Sequence, residues 1–522
     1  MNVLRRGRST LSKLGCVCSQ SRFKSSKETA VSGKENTNSA VSSQEKTTIV
    51  DPCKDNPIFR TANIIASDLG EIKEKVLGKK PLSYRKEIFP HHCDILIIGG
   101  GVMGFSIAYW LQQRALDHLR IVVVEQDPTV NPDKSKWLEY QKSTSVLSVG
   151  GLRQQFSLKE NIELSMASAE FMRNIKHHLG VEGADPPDIC FNPCGYLFLA
   201  SERGTHILQD NYNLQTSLGA KVELLSPEKL KEKFPFMNTD GVALGCHGLE
   251  NEGWFDPWSL LSAFKRKAVA LGTEVVNGKV TSFDFMNKSP IYNQYFAPGE
   301  YTHVEKANVK LEDGSVKSIK FSQLIVAAGC NTGEVGKLIG MGSGTGPLGA
   351  PIPIEPRKRY VFVMHCPDAP GLAMPFIIDP TGAYVRREGV GGQYLCGISP
   401  GDEEQEPCCD NMDVDYEFFE NKLWPIIANR VPAFECAKVK TAWSGFYDFN
   451  SFDENAFIGP HPAFHNVHVV AGFSGHGIQQ SPAVGRAMME IIFDGEFRTI
   501  DLSRLGMERY LNNEPLYESN IV

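Results

Sequence analysis

The chain has 522 residues, 42% of them hydrophobic, and a formal net charge of −7. That length exceeds one ordinary small domain and allows a large core with a second, smaller lobe. The first fifty residues hold nine Lys/Arg and three Glu, so the rest is strongly acidic and carries no electrostatic footprint for nucleic acid.

The chain opens MNVLRRGRSTLSKLGCVCSQSRFKSSK, rich in Arg, Lys and Ser, with no acid before Glu28 and no continuous apolar run. This is the composition of a mitochondrial transit peptide, not a secretory signal, and it predicts import, with a cut near Arg22–Phe23. Residues 28–50 read as a disordered Ser/Thr/Asn/Glu spacer. Transit peptide and spacer therefore fill 1–50, and 51–92 is a linker. The thirteen cysteines match no zinc spacing and no CxxC, so reduced thiols and no metal site are expected.

Asp94–Gln112 reads DILIIGGGVMGFSIAYWLQ. Its length is close to a membrane span, but three consecutive glycines would each cost about 1 kcal/mol in a helix. A strand, a tight turn and a helix explain them better. Ile95–Ile98 is the apolar run of a strand buried on both faces. Gly99 permits the turn, Gly101 lets backbone approach a pyrophosphate, and Gly104 lets the helix lie against the strand. Val102 and Met103 then open a helix whose N-terminus offers amides and partial positive charge to phosphate. A second apolar strand, Ile121–Val124, ends in Glu125, followed by Gln126, where an acid grips ribose hydroxyls. Glu125 favours FAD or NAD over NADP, whose phosphate it would repel.

Further along, Cys194–Leu199 reads as a strand. Ser226-Pro227 opens a short helix with Ser as N-cap and Pro in the first turn. Gly253-Trp254-Phe255-Asp256-Pro257 leads into an amphipathic helix over Trp258–Leu271. Thr273–Val276 and Lys279–Thr281 read as two strands, and Gln323–Gly329 as a buried strand ending in small residues. Gly342–Gly346 is a link and Pro347–Pro356 an extended crossing between lobes. Arg359–Met364 and Tyr394–Gly397 read as strands of an antiparallel sheet. Gly401–Asp410, with Glu403, Glu404 and Glu406, is expected to be a solvated acidic loop. Val467–Gly477 is a strand into the loop GFSGHG, and Ile478–Phe493 follows as a helix. No other apolar run is long enough to span a membrane.

This order, with a glycine turn near the start and GFSGHG plus helix near the end, resembles a family of FAD-binding enzymes over about residues 93–520. The family includes D-amino acid oxidase, glycine oxidase, monomeric sarcosine oxidase, and the sarcosine and dimethylglycine dehydrogenases. The resemblance implies an α/β fold. A Rossmann-like FAD-binding domain of glutathione-reductase type (93–189, 246–345 and 441–522) would carry a discontinuous α+β substrate lobe on an antiparallel sheet (190–245 and 346–440). It places Val280 against the adenine and Ala327, Ala328 and Gly329 over the cofactor. Gly475, His476, Gly477 and Ile478 would lie at the flavin edge where negative charge builds on reduction, with His476 adding to the positive end of the helix. His476 and Gln479 are the candidate catalytic residues.

Departures from the family pattern also bear on function. Positions that clamp a substrate carboxylate hold Phe156, Tyr447 and Gln479 here, while Arg153 matches a flavin-side arginine. Arg357, Arg359, Arg386 and Arg387 could supply a clamp from another loop, but read more simply as solvated surface charges. No lysine occupies the oxygen-activating place near Leu395-Cys396, which implies a dehydrogenase rather than an oxidase. The positions of covalent flavin attachment fall on Gly445 and near Ser148, which implies non-covalent FAD. The reaction implied is dehydrogenation of a small amine or N-methyl amino acid. A closer resemblance, carried by STSVLSVGGLRQQFS (143–157), GWFDPWSL (253–260) and GFSGHGIQQSPAVGRA (472–487), is to a mitochondrial branch linked to assembly of respiratory complex I. It implies complex I subunits or assembly intermediates as partners, on the matrix side of the inner membrane, with peripheral membrane association.

Overall fold

A computed structural model of the chain describes residues 89–116, 118–127, 143–286, 303–343, 346–401 and 406–520. The segments read as transit peptide, cut site and spacer, nearly all of the linker, and Glu403 and Glu404 lie outside these residues.

In chain order the strands of the first half are β1 (Ile95–Ile98), β2 (Ile121–Glu125), β3 (Gly151–Leu152), β4 (Tyr196–Ala200), β5 (Val222–Leu225), β6 (Leu244–Gly248), β7 (Gly253–Trp254), β8 (Glu274–Phe285) and β9 (Val304–Leu311). Those of the second half are β10 (Val316–Lys320), β11 (Gln323–Val326), β12 (Ile354–His365), β13 (Phe376–Ile378), β14 (Tyr384–Glu388), β15 (Gln393–Gly397), β16 (Lys438–Asn450), β17 (Phe457–Pro460) and β18 (Val467–Ala471). Four helices matter most: α1 (Val102–Ala115), α2 (Lys159–Arg173), α3 (Pro257–Ala270) and α4 (Gly477–Asp494).

One sheet runs β10-β9-β8-β2-β1-β11-β18-β17. Its centre is parallel, with Ile95 opposite both Ile121 and Gln323, and Leu324 opposite Val467. The central strands are apolar throughout because alternate residues enter different cores. Ile97, Val123 and Ile325 pack with Phe105, Tyr109 and Phe264 from α1 and α3. Leu96, Val122 and Leu324 face the other way, into a core with Val309 and Phe457. α4 crosses α1 closely: a Cβ on Gly485 would stand 2.2 Å from Ser106 Oγ. Ser106 donates its hydroxyl to Ser481 O at 2.7 Å, and the Trp110 indole N–H donates to Pro482 O at 2.8 Å. Pro482 sits inside α4 and cannot donate to Ile478 O. The Ser481 hydroxyl donates there instead, at 2.9 Å, which removes part of the penalty for an internal proline.

The second sheet runs β16-β12-β15-β14-β13-β4-β6-β5. It is antiparallel except where β13 pairs parallel with β4. Two expected boundaries shift. β6 reaches Gly248 and β16 spans Lys438–Asn450, both in the second sheet, so the lobe's sheet passes residues 245 and 440. The two strands expected over 273–281 are one strand, Glu274–Phe285, because its β9 partner continues through register shifts at Val280/Ser282 and Asp284/Phe285. α3 begins at Pro257, with the Asp256 carboxylate accepting the Trp258 and Ser259 amides. Ser226 caps its helix as expected, accepting the Lys229 amide. Among the described residues no helix is long and apolar enough to cross a membrane.

Candidate flavin site

β1 ends in a turn that only glycine can make here. Gly99 has φ +107°, and a Cβ on it would stand 2.2 Å from Ala327 O. A Cβ on Gly104 would stand 2.0 Å from Gly99 O, so Gly104 fixes how closely α1 approaches β1. Gly101 is the N-cap of α1 and has no side-chain cap of its own. The Ser145 hydroxyl, from the short helix Thr144–Leu147, accepts the Val102 amide at 3.1 Å. Local sequence does not reveal this contact, because 43 residues separate the partners and nothing periodic joins them.

Glu125 closes the turn from β2. One of its carboxylate oxygens accepts the Gly100 amide at 2.6 Å and the other the Asp127 amide at 2.8 Å. A carboxylate has about four lone-pair sites, so acceptor capacity remains for a ribose.

A cavity of about 1170 Å³ runs from this cradle to the second sheet. Gly99, Gly101, Val102, Met103, Glu125 and Gln126 line it at the cradle. Val280, Ala328 and Gly329 line it from β8 and the end of β11. Ser148, Arg153, Gly445, Gly475, His476, Gly477, Ile478 and Gln479 also line it. Of the expected cofactor positions only Gly104 lies off the wall, where its role is packing. The second sheet adds Tyr196, Phe376, Tyr384, Arg359 and Tyr447, and Cys330 and Cys409 also reach the cavity. Leu395 and Cys396 are buried in β15, away from the wall, and among the described lining residues the one lysine is Lys279.

The α4 end of the cavity is built around a buried turn. The Asp448 carboxylate accepts the Gly472 and Phe473 amides at 2.7 and 3.1 Å. Ser474 is left-handed at φ 46° and Gly475 at φ +102°. His476 is the N-cap of α4, and the first amides of any helix lack intrahelical acceptors. Both His476 ring nitrogens are buried without a hydrogen-bond partner among the described residues. Burial, and secondly the charge of Arg153, push His476 down to about 3. Against the expectation that His476 adds positive charge, its buried surroundings favour the neutral imidazole. The positive charge belongs to Arg153, which is buried and stacked 4.1 Å over the Phe156 ring. Gln479, expected as catalytic, has its oxygen committed to the Arg153 backbone amide at 2.7 Å. Phe156 is wholly buried behind Arg153 and away from the cavity wall.

The four arginines read as surface charges are all engaged. Arg359 lines the cavity and donates to both Glu406 oxygens (2.6 and 3.1 Å), to Tyr447 Oη (2.9 Å) and to Ser399 Oγ (3.2 Å). Arg357 pairs with Glu355 and Glu406 over the Phe449 ring. Arg386 is buried over Trp254, bonded to Glu388 and Val149 O. Arg387 pins a turn through Pro370 O, Gly389 O and Val390 O. Glu406 is therefore an ion-pair partner and not a solvated loop charge. Burial keeps the Tyr447 phenol up at about 12 and pushes Tyr196 and Tyr384 higher still, so all three are protonated at neutral pH.

These features define a dinucleotide-binding flavoprotein: a glycine turn with an acid-tipped second strand, a second helix N-terminus converging from the far end of the chain, and a roof sheet over both. The turns, free acceptor sites and unpartnered His476 nitrogens suit a flavin dinucleotide. The chain belongs to the FAD dependent oxidoreductase (DAO) family, whose sequence model matches residues 94–491, and FAD is its cofactor. It is 49% identical over 447 residues to FAD-dependent oxidoreductase domain-containing protein 1 of Xenopus laevis, covering 85% of this chain and 87% of that one. To the Bos taurus protein of the same name it is 45% identical over 468 residues, covering 87% and 93%. Among solved structures, the fold superposes on L-proline dehydrogenase from P. horikoshii with a TM-score of 0.65 at 22% identity, covering 82% of this chain and all of that one.

Proposed function

We propose that this protein is a mitochondrial flavoprotein that serves the assembly or stability of respiratory complex I, on the matrix side of the inner membrane and peripherally attached. The basic, acid-free N-terminus supports the compartment, and the three stretches resembling the complex I-linked branch support the partner. The observation that carries a role other than ordinary amino-acid turnover is Arg359. The cation on the substrate side of the cavity is already closed by Glu406, Tyr447 and Ser399. The positions where the resemblance puts clamp cations hold Phe156, Tyr447 and Gln479. Cells depleted of the protein should lose assembled complex I on native gels, and re-expression should restore it. Normal complex I in depleted cells would remove this reading.

A second reading, a dehydrogenase of small amines or N-methyl amino acids, is favoured by the continuity of the cavity from the glycine cradle to an aromatic-walled space beside Tyr196, Phe376 and Tyr384. Bound FAD would supply the hydride acceptor for the carbon beside the amine nitrogen. Tyr384 and Tyr447, protonated, would present hydroxyls to the substrate, and the aromatic walls would exclude water. His476 would offer a neutral N–H toward negative charge developing in the cavity. Glu125 and the α1 amides would hold the cofactor without a covalent bond. Anaerobic mixing with a panel of secondary and tertiary amines tests this: bleaching of the visible flavin band supports it, and no bleaching by any of them counts against it.

A further inference from the structure

Residues 516–520 form a tail outside any helix or strand, and its sides differ. Tyr517 is 63% exposed and Ser519 is exposed, whereas Glu518 and Asn520 are buried. Glu518 spends both oxygens on the loop that carries Arg153. One accepts the Ser157 amide at 2.6 Å and the Asn520 amide at 3.1 Å. The other accepts the Leu158 amide at 3.1 Å and Asn161 Nδ2 at 3.0 Å, at the start of α2. The Ser519 amide donates to Ser157 Oγ at 2.8 Å. The other end of the tail is anchored too: the Leu516 amide donates to Asp453 at 3.0 Å, and Leu516 O accepts Asn455 Nδ2 at 2.8 Å.

These contacts end on the guanidinium of Arg153. Its two terminal nitrogens donate to Gln155 O at 2.7 Å and Asn520 O at 2.6 Å, and its plane lies over Phe156 and Phe198. Carbonyls and ring faces orient a cation and partly replace its hydration without cancelling its charge. Glu252 and Glu518 act on it only through the field, neither forming a salt bridge with it. Arg153 therefore keeps positive charge beside His476 on the cavity wall, where electrons added to a flavin would be stabilised.

We propose that residues 516–520 are a positioning strap for Arg153, and that by holding this guanidinium in the cavity the strap raises the electron affinity of the bound flavin. The proposal rests on the FAD assignment. The test is the flavin midpoint potential of the holoprotein, measured by dye-coupled reduction, in Glu518→Ala, Tyr517→Ala and the unaltered protein. Glu518→Ala is expected to lose about tenfold in preference for the reduced flavin, which is about 30 mV for a two-electron couple. Tyr517→Ala, altered on the outer side, should show no change. In an Arg153→Lys background, Glu518→Ala should add no further shift, because the two act as one unit. If Glu518→Ala does not fold, Glu518→Gln, which keeps an acceptor for the amides on one oxygen and loses it on the other, should show a smaller fall in the same direction. An unchanged potential in either folded, flavin-loaded variant overturns the strap. A colourless unaltered protein that takes up no FAD overturns the cofactor assignment instead, so the two failures are distinct.

Discussion

Glu252 lies behind the cavity wall, 1% exposed, between the β4 end of the roof and the Arg153 loop. Its carboxylate accepts the Gln154 amide at 2.7 Å and Gln155 Nε2 at 2.8 Å. Those bonds and the nearby Arg153 charge favour ionisation, but burial outweighs them and pushes Glu252 up to about 7. The folded chain therefore holds a proton that the unfolded chain releases above about pH 4.5. The stability this proton gives is fully present below pH 4.5 and is lost as pH rises through 7. At about 1.36 kcal/mol per pKa unit, the rise from 4.5 to about 7 amounts to about 3 kcal/mol.

Glu252→Gln should remove that pH dependence. The substituted amide stays neutral, and a flipped Gln155 amide would present its Oε1, buried with no partner among the described residues, to the new N–H, giving up its long 3.2 Å bond to Tyr196 O. With an unfolding entropy of about 2.1 cal/mol/K per residue over about 430 residues, about 3 kcal/mol corresponds to roughly 3 °C in Tm. The assay is thermal unfolding of the holoprotein and of Glu252→Gln at pH 5 and pH 8.5. The variant should match the parent at the lower pH and exceed it by about that amount at the higher. Parallel pH curves for the two proteins, or a variant less stable at pH 8.5, would show that hydrogen bonds and Arg153 outweigh burial at this carboxyl.

Three further outcomes follow from single contacts. Gly104→Ala puts a Cβ 2.0 Å from Gly99 O, and overpacking of this kind costs about 1–3 kcal/mol. The purified variant should carry less FAD per polypeptide, and full occupancy would mean that α1 can move off β1 freely. His476, held down at about 3 by burial and Arg153, should contribute no inflection of its own to the flavin spectrum between about pH 5 and 8. An inflection in that range that vanishes in His476→Gln would refute its neutrality. Asp256→Ala removes the acceptor of the Trp258 and Ser259 amides at the start of α3 and should cost about 1 kcal/mol by denaturant titration. An unchanged midpoint would show that solvent serves those amides equally well.

What could be read before the structure was whatever depends on local sequence. The glycine turn, β1, α1 and the acid at the end of β2 follow from steric rules that act over a few residues, and they stand where expected. GFSGHG and its helix were legible for the same reason. What could not be read depends on pairing across the chain. Ser145 accepts the Val102 amide from 43 residues away, and Glu406 closes Arg359 from 47 residues away. Nothing in the local composition around Glu406 distinguishes an ion-pair partner from a solvated acid. The same holds for His476: its neighbours in sequence are glycines, but burial and then Arg153 favour its neutral form.

The two ends of the cavity treat positive charge differently. At the roof, Arg359 and Arg357 are met at contact distance by Glu406 and Glu355, so that cluster carries no net charge toward the cavity. At the α4 end, Arg153 is met by carbonyls and rings, and its neighbouring histidine stays neutral. Arg153, which forms no salt bridge among the described residues, thus stands where the helix N-terminus of α4 already points positive. An added negative charge on the cofactor is favoured from both sources, whereas a carboxylate arriving at the roof must first displace Glu406 from Arg359. The electrostatics therefore favour holding electrons on the flavin more strongly than binding an anionic substrate above it. A flavoprotein kept for its folded, reducible state would show this asymmetry, and an efficient amino-acid dehydrogenase would need Glu406 to leave.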